Sequence, residues 1–158
     1  MSEQATIIQE NAEFLFTRLL KTVEGLSEEE AEWKPTPESN NIVWQLNHLS
    51  RITNLSMPRL IKDDHDWMPL NWIPNYKDEV NNIDRLIVDL EKGKELVVSE
   101  LGELSKDQLK KDTKYWGGTR KQKEGLFAYL GEIAHHKGQI AYIRATYARL
   151  HGKKWKYP

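Results

Sequence analysis

The residues best suited to chemistry lie within a long amphipathic segment near the C-terminus. Glu132 and His136 are four positions apart, so on a helix their side chains lie one above the other on adjacent turns. An ionisable pair in an apolar stripe is costly unless a partner compensates it. The stripe around this pair consists of Tyr129, Ile133, Ile140, Ile143, Tyr147 and Leu150.

A divalent metal ion is one such partner. Carboxylate oxygen and neutral imidazole nitrogen are ordinary ligands of zinc and other first-row ions, and the i,i+4 spacing brings two of them to one point. A third ligand must come from another helix. His48 is the best candidate, because it lies between Trp44 and Ile52 on the apolar arc of a second amphipathic segment. His48, Glu132 and His136 are the predicted metal ligands, with positions left open for water or substrate.

The same residues also permit a structure without metal. A Glu–His pair at this spacing can simply hydrogen-bond, and a buried histidine can donate to a carbonyl group. Gln139, one turn beyond His136, is a candidate for orienting a ligand. His135 points roughly 100° away from His136 on a helix and is interpreted as the rim of the site or an exposed residue. His65 and His151, in a loop and at a helix end, are assigned no role.

Four long segments with helical periodicity must position these residues. The apolar stripe of the first begins at Ile8, and Gly25 supplies a stop signal. The second is predicted to begin with Asn40 or Asn41 as its N-cap. Pro58 is expected to kink this second helix or to end it early.

The third and fourth helices follow two polar crossovers. Asn75 is the predicted N-cap of the third helix, and Thr119 with Gln122 forms the predicted capping box of the fourth, which extends to about Leu150. No segment alternates convincingly with a period of two, so sheet is at most a short ribbon in the second crossover. The pattern predicts one all-α domain over residues 1–158, a four-helix bundle of up-down-down-up or similar topology with a long crossover before the last helix.

Composition limits the classes of function. The 158 residues include no cysteine, which excludes disulfides, thiolate metal sites and a protein-borne thiol nucleophile. No stretch is apolar enough to span a bilayer, and the N-terminal residues lack the features of a signal peptide. We therefore expect a cytoplasmic protein with no membrane partner.

Charge is divided unevenly along the chain. Residues 1–104 carry 10 Lys/Arg and 20 Asp/Glu, whereas residues 105–158 carry 13 Lys/Arg and 4 Asp/Glu. Either oppositely charged helices pack side by side, or the basic segment helps to hold an anionic small ligand. The basic residues form no nucleic-acid motif, so no nucleic-acid partner is expected. The crossover residues Trp67, Trp72 and Trp116 are interpreted as small satellite cores rather than the mouth of a pocket.

Two sequence stretches carry a family resemblance. NIVWQLNHLSRI on the second helix and EIAHHKGQIAYIR on the fourth resemble the two signature regions of the DinB-like superfamily, which includes the YfiT-type bacillithiol transferases. The first leads through apolar residues to His48. The second contains the double histidine followed by Gly-Gln, here His135, His136, Gly138 and Gln139. The preceding TPESNNIVW is also similar to the turn before the family's second helix, and the resemblance covers almost the whole chain in helix order.

The resemblance implies a metal site with one substitution. In that family one histidine on the second helix and two on the fourth, spaced i,i+4, hold a divalent ion inside the bundle. His48 and His136 match two of these positions, and Glu132 occupies the third. Because an added carboxylate favours harder ions than three imidazoles would, the identity of the metal (Zn, Ni, Mn or Fe) stays open.

These observations lead to two hypotheses of function. The first is a metal-dependent enzyme, a thiol S-transferase or a hydrolase that acts on a small-molecule substrate, with a low-molecular-weight thiol as cosubstrate in the transferase case. The second is a non-catalytic dimeric bundle, a binding or stress-response protein with a vestigial metal site. The resemblance implies a homodimer in either case, and the sequence does not specify its interface.

Overall fold

A computed structural model of the chain describes residues 2–116 and 118–158, and most of these residues are helical. The elements in chain order are α1 (Glu3–Val23), α2 (Glu28–Glu32), α3 (Ile42–Arg51), a π-helical turn (Ile52–Ser56), α4 (Met57–Lys62), α5 (Tyr76–Glu79), α6 (Ile83–Gly102), α7 (Lys106–Lys110), β1 (Asp112–Tyr115), β2 (Gly118–Lys121) and α8 (Gln122–Leu150).

Four long helices form the bundle: α1, the continuous run of α3, the π-turn and α4 (hereafter the second bundle helix), α6 and α8. The Gln9 side chain donates to the Val98 carbonyl at 2.8 Å, and Ser2 donates to the carbonyl of Leu104. The start of α1 therefore lies beside the end of α6, and these two helices are antiparallel.

The other neighbours complete the topology. Ser50 donates to the carbonyl of Leu86, and Asn54 donates to that of Asp89, further along α6. Both chains advance in the same direction, so the second bundle helix and α6 are parallel. The side chain of Gln122, the first residue of α8, donates to the carbonyl of Leu60 near the end of the second bundle helix. These two helices are antiparallel, and the predicted all-α bundle with up-down-down-up order is confirmed.

Polar caps fix where the helices begin. The Asn41 side chain accepts the N–H of Trp44 at 2.9 Å, which confirms the predicted start of the second bundle helix. Ser27 likewise accepts the N–H of Glu30 at the start of α2. The first helix ends at Val23, and Gly25 adopts a left-handed φ of 67° just beyond it, as the stop signal predicted.

The expected effect of Pro58 was wrong in part. The helix neither ends nor breaks there, because the preceding residues Ile52–Ser56 form a π-turn, in which the Met57 N–H bonds to the Ile52 carbonyl. A proline ring clashes with the carbonyl four residues earlier in a regular α-helix. The wider π-turn relieves that clash and lets α4 continue to Lys62.

Two predicted helix starts are also corrected. Asn75 precedes only the one-turn helix α5, and the third bundle helix begins later, with Asn82 as its N-cap. Thr119 lies in β2, and α8 starts at Gln122, where the Glu124 carboxylate accepts the Lys121 backbone N–H at 3.3 Å. The ribbon of β1 and β2, paired from Asp112↔Lys121 to Tyr115↔Gly118, occupies the crossover in which the sequence allowed one.

Apolar side chains from all four bundle helices fill the centre. Phe16, Leu46, Leu90 and Ile133 are fully buried, one from each bundle helix. A buried ion pair at one end adds a polar link, since Arg144 on α8 donates to both carboxylate oxygens of Glu30, at 2.7 and 3.2 Å. Leu150, which the sequence placed on the apolar face, is exposed at the end of α8.

None of the helices in the described ranges has the combination of length and hydropathy that crossing a bilayer requires.

Candidate metal centre

The structure brings His48, Glu132 and His136 together in the groove between the second bundle helix and α8. One potential ligand atom from each lies within 4.8 Å of the other two. Glu132 Oε2 lies 3.3 Å from His136 Nε2 and 3.6 Å from His48 Nε2. The three side chains that the sequence singled out therefore converge on one point from two antiparallel helices.

The three side chains of the cluster differ in exposure. The side chains of His136, His48 and Glu132 are 8%, 15% and 33% exposed. The imidazoles therefore lie inside the groove, and the carboxylate lies at its opening. A small molecule from solvent can reach the cluster past Glu132.

Two glutamine side chains orient His136. Its Nδ1 is hydrogen-bonded to the side-chain oxygen of Gln139 at 2.9 Å and to that of Gln45 on the second bundle helix. Because amide oxygens only accept, Nδ1 carries the proton, and the Nε2 lone pair of the neutral ring faces Glu132. Hydrogen bonds of this kind fix the tautomer of metal-binding histidines.

Gln139 was expected to orient a bound small molecule, and its side chain is hydrogen-bonded to His136, one of the predicted metal ligands. Gln45 was missed by the sequence reasoning. It lies three residues before His48, so the two share a helix face. A polar residue one turn from a candidate ligand was the signal that could have identified it.

Trp44 packs over the cluster. Its ring stacks on His48 with centroids 5.2 Å apart and an interplanar angle of 14°, and it lies 6.0 Å from the ring of His136. The two imidazoles are themselves 4.7 Å apart at 70°. This stacking restricts the orientation of the His48 ring.

Burial favours the neutral form of both imidazoles. It lowers the pKa of His48 below its ordinary value, and the neighbouring His136 lowers it further, whereas the nearby carboxylate of Glu132 acts in the opposite direction. Burial is also the main cause that lowers the pKa of His136, against the raising effects of Gln139 and Glu132. Only a neutral imidazole offers a lone pair to a metal.

The donor set fits a divalent cation. With its proton on Nδ1, neutral His136 presents a lone pair towards a carboxylate oxygen 3.3 Å away. That distance exceeds the usual 2.7–3.2 Å of an N–H···O bond. A carboxylate oxygen and an imidazole nitrogen that face each other in this way are a donor pair that a divalent ion would accept. The sequence left open a simple hydrogen bond between Glu132 and His136. That alternative explains less well why two acceptor atoms, His136 Nε2 and Glu132 Oε2, face each other.

Two clefts lie along α8, and Tyr129 and Gln139 of that helix border one each. The ribbon-side cleft, of about 330 Å³, is lined by residues such as Arg59, Lys114, Trp116 and Tyr129. The turn-side cleft, of about 520 Å³, is bordered by Gln45, His135, Gly138, Gln139 and Tyr142.

The remaining histidines lie outside the cluster. His135 is exposed and borders the turn-side cleft, in agreement with its interpretation as a rim residue. His65, which was assigned no role, lines the ribbon-side cleft. His151 bonds through Nδ1 to the carbonyl of Tyr147 at 2.8 Å.

Of the crossover tryptophans, Trp72 belongs to a satellite core, whereas Trp116 lies at the mouth of a cleft. Trp72 stacks on Tyr76 with ring centroids 4.6 Å apart and packs against the core, as a satellite core requires. Trp116 is 65% exposed and lines the ribbon-side cleft, so the satellite-core interpretation was wrong for this residue.

Comparisons with known proteins agree with this fold. The family model described as the DinB superfamily matches residues 12–140. A solved structure of a conserved protein from Enterococcus faecalis is similar, with a TM-score of 0.67, 19% identity, and coverage of 92% of this chain and 96% of the other. The DinB-like protein YjoA from Bacillus subtilis gives a TM-score of 0.70, 18% identity, and coverage of 96% and 94%. No curated protein matches the sequence.

Proposed function

The chain belongs to the DinB superfamily, and from that premise we propose that it is a divalent-metal-dependent enzyme that transfers a low-molecular-weight thiol to a small electrophilic substrate. The observation that carries the proposal is the convergence of His48, Glu132 and His136, with the Nε2 lone pair of His136 turned towards the carboxylate. Hydrolysis of a small molecule is the related reaction that the same site would support.

Each residue has a defined part in this proposal. His48, Glu132 and His136 would hold Zn, Ni, Mn or Fe, and Gln45 and Gln139 keep the His136 ring in its binding tautomer. The bound ion would supply Lewis acidity, which lowers the pKa of a thiol or a water molecule enough to make a nucleophile at neutral pH. Since the protein has no cysteine, the thiol must come from a cosubstrate.

The two clefts favour transfer over hydrolysis. A transferase must hold two organic molecules beside the reacting atoms, whereas a hydrolase needs space for one molecule and water. Here Tyr129, three residues before Glu132, lines the ribbon-side cleft of about 330 Å³, and Gln139, three residues after His136, borders the turn-side cleft of about 520 Å³. In the transfer the thiol loses its proton, its sulfur bonds to the electrophilic carbon, and the leaving group departs with the electron pair of the broken bond.

Elemental analysis tests the metal site. Protein purified without chelator is expected to contain about one equivalent of metal per chain, or to take it up when Zn, Ni or Mn is added, with a rise in melting temperature. His48→Ala and His136→Ala should each lose the metal.

His135→Ala is the matched control, because it removes an exposed imidazole adjacent to His136. It should retain the metal content of the wild type. If the wild type holds far less than one equivalent and gains no thermal stability with any of the three ions, the proposal is wrong and the vestigial-site alternative stands.

Activity distinguishes transfer from hydrolysis. The metal-loaded protein is incubated with a chromogenic aryl halide and a panel of low-molecular-weight thiols, and with a chromogenic ester in the absence of thiol. Thiol-dependent release of halide that His136→Ala abolishes and His135→Ala preserves supports transfer. Ester cleavage alone supports hydrolysis.

A further inference from the structure

The ribbon-side cleft contains an arginine without an acidic partner. Arg59 lies on α4 and is half-buried, yet within residues 2–116 and 118–158 no carboxylate lies at salt-bridge distance from it. Arg144 and Arg85, by comparison, are paired with Glu30 and Asp89 at 2.7 Å. A half-buried guanidinium with no counter-charge in a cleft is suited to an external anion.

The guanidinium of Arg59 is held in place through one nitrogen. Its Nε donates to the carbonyl of Trp67 at 2.8 Å, in the crossover that follows α4. This bond anchors the side chain through Nε, and Arg59 lines the cleft. Planar guanidinium with both terminal nitrogens available matches a carboxylate or phosphate group.

The end of α4 is tied to the ribbon. Asp63 accepts hydrogen bonds from Thr113 at 2.7 Å and from Lys111. Lys114 of the ribbon lines the cleft with Arg59, so its lining carries two basic side chains.

Three aromatic rings, those of Tyr115, Trp116 and Tyr129, also line the cleft. Tyr115 packs edge-on against Tyr129 with centroids 5.1 Å apart, and Trp116 is exposed at the mouth. Burial raises the pKa of Tyr115 and Tyr129, and the charge of Glu132 adds to both shifts. These rings are neutral at physiological pH and offer apolar faces to an organic molecule.

We propose that the ribbon-side cleft binds the anionic group, a carboxylate or a phosphate, of a small substrate with an aromatic or apolar body. Arg59 and Lys114 would bind the anion, and Tyr115 and Trp116 would contact the body. The assignment of this molecule as substrate rests on the proposed function.

The position of Tyr129 connects the cleft with the cluster. It lies three residues before Glu132 on α8, on the adjacent turn of the same helix face. A molecule anchored at Arg59 and packed against Tyr129 therefore extends towards the metal ligands.

Titration calorimetry with three probes tests the site. Phenyl phosphate and phenylacetate present the two anionic groups on one ring, and benzyl alcohol is the neutral counterpart. The wild type is expected to bind at least one anion more tightly than the alcohol, and more weakly as salt is added. A preference for phenyl phosphate identifies a phosphate site, and a preference for phenylacetate a carboxylate site.

Matched variants locate the binding. Arg59→Gln should weaken binding by at least about tenfold, and Lys114→Gln by about threefold because it is exposed. Arg149→Gln is the control, since this exposed arginine also bonds through Nε to a backbone carbonyl. Equal affinities for anion and alcohol, or equal losses in Arg59→Gln and Arg149→Gln, would overturn the proposal. Lys114→Gln gives an independent answer if Arg59→Gln fails to fold.

Measurement with and without metal separates this inference from the proposed function. Anion binding that Arg59→Gln removes should persist in chelator-treated protein, while Arg59→Gln retains the metal content of the wild type. A wild type that binds the anion at Arg59 but holds no metal would contradict the enzyme and leave the anion site intact. Metal binding without anion binding would contradict the anion site alone.

Discussion

His136 on α8 and Gln45 on the second bundle helix are hydrogen-bonded to each other across the groove. The bond joins the two helices that carry the three candidate ligands, and it does so through the ring nitrogen that faces away from Glu132. One contact therefore sets both the approach of the helices and the tautomer of the imidazole.

Replacing the glutamines should weaken metal binding without removing a ligand. Gln45→Ala and Gln139→Ala each delete an acceptor of the His136 Nδ1–H, and loss of such outer partners typically lowers metal affinity by about 10- to 100-fold. Competition with a chromogenic zinc chelator measures the affinity. Gln4→Ala, at an exposed position of α1, is the control and should leave the affinity unchanged. An unchanged metal affinity in a variant that combines Gln45→Ala with Gln139→Ala would show that these two amides do not orient the His136 ring.

The stability of metal-free protein should depend on pH through the buried imidazoles. Burial lowers the pKa of both His48 and His136 from the ordinary 6.5. Between the lowered values and 6.5 the unfolded chain binds more protons than the folded one. The free energy of unfolding therefore falls as pH drops below about 6.5, and these groups contribute no pH dependence above it.

Urea unfolding of chelator-treated protein at about pH 7.5 and about pH 5.5 measures this effect. The loss on acidification should be smaller in the double variant His48→Ala/His136→Ala, which lacks both groups. Equal losses in the double variant and the wild type would assign the pH dependence to other residues.

Removing Arg144 should destabilise the fold strongly. Besides Glu30, its guanidinium donates to the carbonyls of Thr22 and Glu24 at 2.7 and 2.9 Å, so it joins α8 to the end of α1 and to α2. Arg144→Met leaves a buried carboxylate and two carbonyls without this partner, at a cost of about 3–5 kcal/mol. Urea unfolding measures it, and the exposed Arg149→Met should change stability by less than about 0.5 kcal/mol. Similar small effects in both variants would contradict a stabilising role for the ion pair.

Two glycine substitutions should have opposite effects. A Cβ at Gly93 would lie 2.5 Å from Thr53 Oγ1 and 2.9 Å from Asn54 Nδ2, where the second bundle helix meets α6. Gly93→Ala should therefore cost about 1–3 kcal/mol. Gly131→Ala, where a Cβ meets no described atom within 4 Å, should gain up to about 1 kcal/mol from helix propensity. Thermal melting of both variants gives the comparison, and a stable Gly93→Ala would mean that Thr53 moves aside easily.

Local signals predicted much of the fold. Asn41 and Gly25 act at short range, since a cap accepts an N–H three residues away and a left-handed residue ends the adjacent helix. Thr119 failed as a cap because its pairing with Lys114 in the ribbon keeps it extended. Cross-strand pairing is a tertiary choice that helix-capping chemistry does not reveal.

The candidate site was predictable where one helix sets the spacing. Glu132 and His136 are joined by a single helical turn, whereas the approach of His48 depends on how two helices pack. The buried ion pair of Arg144 could not be predicted in this way. In the sequence Arg144 is one more residue of a basic segment, and only its contacts with Glu30 and the end of α1 show that it is buried and paired.

The π-turn before Pro58 also sets the rotation of the helix that follows. In an uninterrupted α-helix, the seventh residue after His48 would lie two turns along on the same side of the helix. The π-turn holds one extra residue, so Ser56 takes that angular position. If the same residues Ile52–Ser56 were wound as regular α-helix, α4 would be turned by about 100°. Arg59 would then swing away from the ribbon while His48 stayed beside Glu132. The π-turn therefore sets the direction of Arg59 in the ribbon-side cleft independently of the position of His48 in the cluster.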